Sequence, residues 1–314
     1  MRHLHRRAFL ATGLGAAMSG GAAAQPRPFF ARHGLPIGIQ LYTLGPDAAR
    51  DLDGALAAIA KVGFGTVELA GFYGKSPADM RAALDKAGLK ATSAHIQPRG
   101  GAESLDGDLG RLGAVLNTVG ATHAVMPIPR IPERLGLRPN PGEDIAGYLR
   151  RVMSQMTADD WKMNAQFLNE CGALLAKSSV RMGYHNHNME FAPLGGTNGL
   201  EILLAETDAE LVTFEVDVGW VAASGTDPVE LLDKHKGRFT MMHVKDIQAS
   251  TTPNFTLAMD PANVGAGRID WKRLLPAAHA AGVRHFFLEQ EPPFPGPRID
   301  SARAGHDFLA AVVA

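Results

Sequence analysis

The chain has 314 residues, 46% hydrophobic and 20% charged, with a formal net charge of −1. This length suits one large domain or two small ones, and the balanced charge leaves no electrostatic footprint for nucleic acid or an anionic membrane. One cysteine, Cys171, excludes an intramolecular disulfide; it sits in a helical pattern and reads as a small packed residue.

The first residues read as targeting rather than fold. Arg6-Arg7 precede Phe9-Leu10, an Ala/Gly-rich stretch follows from Ala11 to Ala24, and Ala22-Ala23-Ala24 offers small residues for cleavage before Gln25. Residues 1–24 resemble a twin-arginine signal peptide, which implies the Tat export machinery as a partner and a periplasmic location. The stretch is too short and Gly-rich for a stable membrane span. Residues 25–34 read as a linker, and the domain is expected to occupy 35–314.

From there, short apolar runs alternate with longer amphipathic patterns, as in a parallel sheet buried on both faces. Pro36 to Tyr42 is the expected first strand, followed by a helix from Asp47 to Val62 that Gly63 ends. Thr66 to Leu69 is the second strand. Ser76-Pro77-Ala78-Asp79 gives the next helix a cap, a proline at its first position and an acidic first turn. Lys90 to Ile96 is the third strand, a helix is expected from Leu105 to Val119, and Thr122 to Ile128 is the fourth strand.

A Pro/Arg-rich loop from Pro127 to Gly142 leads into a long helix over Thr157 to Lys177. Strands are then expected near 180–185, 212–217, 239–243 and 285–289. Helices are expected near 198–206, 227–235, 270–281 and 301–313. Eight such units predict a single (β/α)8 barrel with its active site at the strand C-termini.

The last four strands end in polar groups: Tyr184-His185-Asn186-His187, Phe214-Glu215-Val216-Asp217, Met242-His243-Val244-Lys245 and Leu288-Glu289-Gln290-Glu291. Such groups are costly at the end of a buried strand unless something pairs them, and a shared divalent cation would do so. Asp217, His243 and Glu289 are the foremost ligands. A carboxylate and imidazole set suits one divalent ion, Mn2+ first, then Co2+, Mg2+ or Zn2+.

Four segments are similar to the xylose isomerase-like barrels of the sugar phosphate isomerase/epimerase superfamily. They are Gly183 to Phe191, Glu215 to Trp220, His243 to Asp246 and the Gly265 to Trp271 turn. The resemblance covers nearly everything after residue 35 and implies a metal-dependent sugar isomerase or epimerase acting beside a carbonyl. In ketose 3-epimerases of this group the ion is held by Glu, Asp, His and Glu. The last three correspond to Asp217, His243 and Glu289. At the end of strand five stands His185 instead of glutamate, with His187 and then Glu190 as further candidates. That departure puts two-glutamate chemistry in doubt and leaves Glu289 as base, with His185 or His187 as acid.

Glu68, His95 and Gln40 are expected to line the sugar pocket. Lys245 either holds a substrate oxygen or pairs with Asp246. Trp220 and Phe72 either stack on a sugar face or pack, and Glu291 either orients Glu289 or faces solvent. Export favours an unphosphorylated carbohydrate. The alternatives are a lyase acting on a 3-keto-glycoside by β-elimination and a non-catalytic sugar-binding barrel. An endonuclease is disfavoured by the charge balance. A homo-oligomer is compatible with the resemblance.

Overall fold

The apolar runs form parallel strands because each is buried on both faces, with helices covering the outer one. The computed structural model describes residues 27–314; the expected signal peptide lies outside the described residues. The strands are β1 (Gly38–Gln40), β2 (Thr66–Leu69), β3 (Lys90–His95) and β4 (His123–Met126). They continue as β5 (Arg181–His185), β6 (Val212–Asp217), β7 (Phe239–Val244) and β8 (His285–Leu288). Each pairs with its sequence neighbours, and β1 pairs with both β2 and β8, closing the barrel. The expected (β/α)8 architecture is therefore present.

Helix boundaries follow the capping chemistry. Ser76 Oγ accepts from the Asp79 N–H with Pro77 at the first turn, and Thr157 with Asp160 forms a reciprocal capping box. The expected helix over Asp47–Val62 is two, Pro46–Arg50 and Leu52–Val62. Asp51 breaks it by turning its carboxylate onto the Gly54 N–H, so a new helix starts there. The expected first strand is cut short for a similar reason. Gln40 Oε1 accepts from the Tyr42 N–H and turns the chain into a 3-10 helix at Leu41–Leu44.

The linker expectation for 25–34 is corrected from Phe29 onward. Phe29–His33 is helical, with Phe29 and Phe30 buried because their rings pack edge-on against Phe286. The Phe29 N–H donates to the Val312 carbonyl at 2.8 Å, tying this helix to the last one, Arg298–Ala311. Among the described residues no helix is long and apolar enough to cross a membrane.

Inside the barrel the side chains lie in layers. Val125, Met241 and Phe287 make an apolar middle layer, and a side chain at Gly183 would press on the first two at 3.1 Å. Near the strand starts His123 and His285 face each other, ring centroids 5.1 Å apart. Above the apolar layer, toward the strand C-termini, the lining turns polar.

Candidate active site

Period-two alternation puts Glu215 and Asp217 on the inner face of β6 and His243 on that of β7, with Lys245 following just past the end of β7. Register aligns His185 with Glu215, and Asp217 with His243. Distant segments thus deliver their polar ends to one chamber.

The outer group is Asp217, His243 and Glu289, whose ligand atoms lie within 4.8 Å of one another. His243 Nδ1 stands 2.8 Å from Glu289 Oε2 and 3.7 Å from Asp217 Oδ2. Asp217 Oδ1 caps the helix Val218–Ala223 by accepting from the Trp220 N–H, and Asn186 Oδ1 accepts from the Asp217 N–H, so the carboxylate is fixed from two sides.

Lys245 Nζ lies 2.7 Å from Asp217 Oδ2, 2.8 Å from Glu289 Oε2 and 2.9 Å from Glu291 Oε1. Asp217 Oδ2 is buried, and its charge is met by this ammonium. Two buried carboxylates flanking an imidazole nitrogen fit a divalent cation in charge and donor type.

A deeper group lies on the other side of His243. His95 Nε2 and His185 Nδ1 each stand 3.0 Å from Glu215 Oε2, and His243 Nε2 stands 3.1 Å from it. Glu68 Oε1 is 2.7 Å from His243 Nε2, and its carboxylate also takes hydrogen bonds from Gln40 and Ser93.

These contacts set the charges. Burial alone would drive Lys245 toward neutrality, but Asp217, Glu289 and Glu291 reverse that and hold it well above its ordinary value. Burial pushes the Glu289 carboxyl up, and Lys245 with His243 outweighs it, keeping Glu289 ionised. Burial would depress His95, yet Glu68 and Glu215 raise it to about 9. His187 goes the other way: burial, then the Lys245 charge, takes it down to about 4.

The expected residues divide as follows. Asp217, His243 and Glu289 come together. His185 is close by, with Nε2 3.9 Å from Asp217 Oδ2, but its Nδ1 belongs to the deeper group. His187 lies against His185 and the Trp220 ring, with Nδ1 buried and without a partner among the described residues. Glu190 is turned away, accepting from Tyr184 Oη and the His187 N–H, and burial raises its carboxyl to about 7.

Gln40 and Glu68 are corrected from pocket lining to support beneath the site. Both are fully buried and hydrogen-bonded to each other. His95 stays partly exposed and borders a cavity of about 390 Å³ that Phe72 and Tyr73 also line. Lys245 does not pair with Asp246. The Asp246 carboxylate is taken by N–H groups of the Gly265–Trp271 turn.

Glu291 faces Lys245, and Trp220 is buried, its ring 5.1 Å from Lys245 Nζ. Cys171 is buried, and burial pushes its thiol up to about 12. Glu215 was absent from the expected ligands. Its place two residues before Asp217, on the same strand face, was the available signal.

A family profile described as Xylose isomerase-like TIM barrel matches residues 56–312. Among curated proteins the chain is 29% identical over 154 residues to an inosose dehydratase of Geobacillus thermodenitrificans, covering 45% of this chain and 51% of that protein. The chain spans about half the length of the curated relatives it matches first. Among solved structures, a sugar phosphate isomerase/epimerase from Parabacteroides distasonis superposes with a TM-score of 0.69 at 23% identity, covering 93% and 96% of the two chains. A D-psicose 3-epimerase from Clostridium cellulolyticum superposes with a TM-score of 0.60 at 14% identity, covering 88% and 100%. At these identities the structural likeness speaks for the fold.

Proposed function

The chain belongs to the xylose isomerase-like TIM barrel family, and we propose that it is a divalent-metal enzyme that eliminates a β-oxygen substituent from a sugar-derived ketone. The observation that carries this is the one-sided mouth. β8 leads into Glu289, a carboxylate set between Lys245 and His243, whereas β5 ends in the imidazole of His185. Epimerisation by two opposed glutamates needs a carboxylate after β5, and Glu190 there is engaged elsewhere. Elimination needs a single base, which can take the proton from carbon and hand it to the departing oxygen. The relatives named inosose dehydratase support the same choice.

Asp217, His243 and Glu289 would hold the ion, which when bound polarises the substrate carbonyl and acidifies the adjacent C–H. Glu289, ionised, accepts that proton. Lys245, kept protonated, donates to the oxygen on which negative charge develops. His187 stays neutral at pH 7 and orients substrate rather than protonating it. Mn2+ leads the candidate ions, and an exported chain would meet unphosphorylated sugars.

Isomerisation or epimerisation is the second reading. His187 Nδ1, buried and without a partner among the described residues, favours it as a neutral imidazole that can accept a proton on the side away from Glu289's own contacts.

The test is NMR in D2O on the protein reconstituted with Mn2+, Co2+ or Zn2+, using 3-keto-glycosides and polyhydroxylated cyclic ketones. An unsaturated ketone with loss of water or aglycone, abolished in Glu289→Gln, is the expected result. Deuterium uptake without elimination supports the second reading. Bound metal with neither outcome on any of these ketones sinks both and leaves a sugar-binding barrel.

A further inference from the structure

The deeper group is a second constellation that the reaction above does not use. Three imidazole nitrogens, His95 Nε2, His185 Nδ1 and His243 Nε2, converge on one oxygen of Glu215 at 3.0, 3.0 and 3.1 Å. Donor atoms around a tetrahedral ion at about 2.1 Å stand roughly 3.4 Å apart; each imidazole nitrogen lies slightly nearer than that to Glu215, and all the ligand atoms lie within 4.8 Å of one another. The other Glu215 oxygen, Oε1, is buried with no partner among the described residues. An isolated hydrogen-bond hub would leave that oxygen uncompensated at a cost.

Charge points the same way. Glu68 and Glu215 stand against His95 and His243, while Asp217, Glu289 and Glu291 stand against the ammonium of Lys245; all but Glu291 are almost wholly buried. These carboxylates outnumber that one fixed cation. Burying that excess uncompensated is costly.

The geometry points to a second divalent-cation site, held by His95 Nε2, His185 Nδ1 and the Glu215 carboxylate, beneath the outer one. His243 stays with the outer ion. Its Nδ1 faces Asp217 and Glu289, and its Nε2–H donates to Glu68 Oε1 at 2.7 Å, the carboxylate support that a metal-bound histidine ordinarily has. The deeper ion therefore has three protein ligands and an open position, as in catalytic rather than structural zinc sites. The nitrogen-rich set favours Zn2+ or Co2+, where the outer set with its two carboxylates suits Mn2+. The inference goes beyond the proposed reaction and does not depend on it.

The experiment is metal stoichiometry by mass spectrometry on the full chain, stripped with chelator and reconstituted with Zn2+ or Co2+. Wild type is compared with His95→Gln, Glu215→Gln, Asp217→Asn and Glu289→Gln, each checked for fold by circular dichroism. Two ions per chain in wild type, and one in each variant, is the expected result.

Because a barrel variant can fail to fold, wild type is also titrated with Co2+, whose visible absorption should rise in two separate steps. One ion per chain that Glu215→Gln and His95→Gln retain overturns the inference, as does a single-step cobalt titration ending at one equivalent in the outer group. One ion lost in Glu215→Gln but kept in Asp217→Asn and Glu289→Gln upholds the deeper site and removes the outer ion from the proposed reaction. No ion at all overturns both.

Discussion

Replacing Asp246 with asparagine tests how the site's outer wall is held. Oδ1 accepts from the Ile247 and Ile269 N–H groups at 2.9 and 3.1 Å. Oδ2 accepts from the Gly265 and Gly267 N–H groups and from Trp271 Nε1 at 3.0, 3.2 and 2.9 Å. Gly267 is needed for close approach, since a Cβ there would run into this carboxylate.

In Asp246→Asn an amide NH2 must replace one of the two oxygens. The cheaper choice replaces Oδ1, which still sets two buried backbone N–H groups against a donor. At about 1–3 kcal/mol for each orphaned group, and some loss where a charged acceptor becomes neutral, the expected cost is about 3–5 kcal/mol. That is a large share of a typical stability of about 5–15 kcal/mol. Equilibrium urea unfolding followed by fluorescence and circular dichroism measures it. Trp271→Phe removes one donor only and should cost about 1–2 kcal/mol, including its lost contacts. A loss below about 1 kcal/mol for Asp246→Asn would refute the claim that this carboxylate organises the turn.

Three further outcomes are expected. Gly219→Ala would place a Cβ 2.7 Å from Lys245 Cγ; overpacking should cost about 1–3 kcal/mol and the elimination rate should fall at least about tenfold while bound metal is retained, so an unchanged rate removes Lys245 from the mechanism. Burial, then the His285 ring, takes His123 down to about 4, so between pH 6.5 and 4 the unfolded chain binds a proton the folded one refuses. Stability should therefore fall with pH across that window by up to about 3 kcal/mol, and a His123→Gln variant with the same slope in urea titrations would contradict this. Chelation should lower the melting temperature reversibly, since an ion at about a thousand times its Kd stabilises by about 4 kcal/mol; a melt indifferent to chelator and to added Mn2+ or Zn2+ argues against bound metal.

The barrel was legible because buried strands flanked by capped helices leave strong local signals, such as Thr157 with Asp160 or Asp227 before Pro228. The helix Val218–Ala223 was not, because all its residues are buried and no polar face marks a period. Strand-end chemistry showed which residues reach the mouth, but not their depth. Gln40 and Glu68 sit at strand ends and yet are sealed under the chamber, through pairings with Ser93 and His243 that no single stretch of sequence records. Glu215 was eclipsed by Asp217 because the last polar residue of a strand draws attention first, although both share one face.

The short helix at Phe29–His33 joins the two ends of the described chain. Its first N–H reaches the Val312 carbonyl, its rings lie on Phe286 of β8, and β8 must itself lie against β1 before the cylinder exists. During synthesis the first of these partners leaves the ribosome long before the last. At about 5–20 residues per second, the aromatic pair therefore waits unpaired for roughly 15 to 60 seconds. For that interval two phenylalanines and the open side of β1 lack their native partners, and they present the apolar surface and unpaired strand edge that make folding intermediates prone to aggregate.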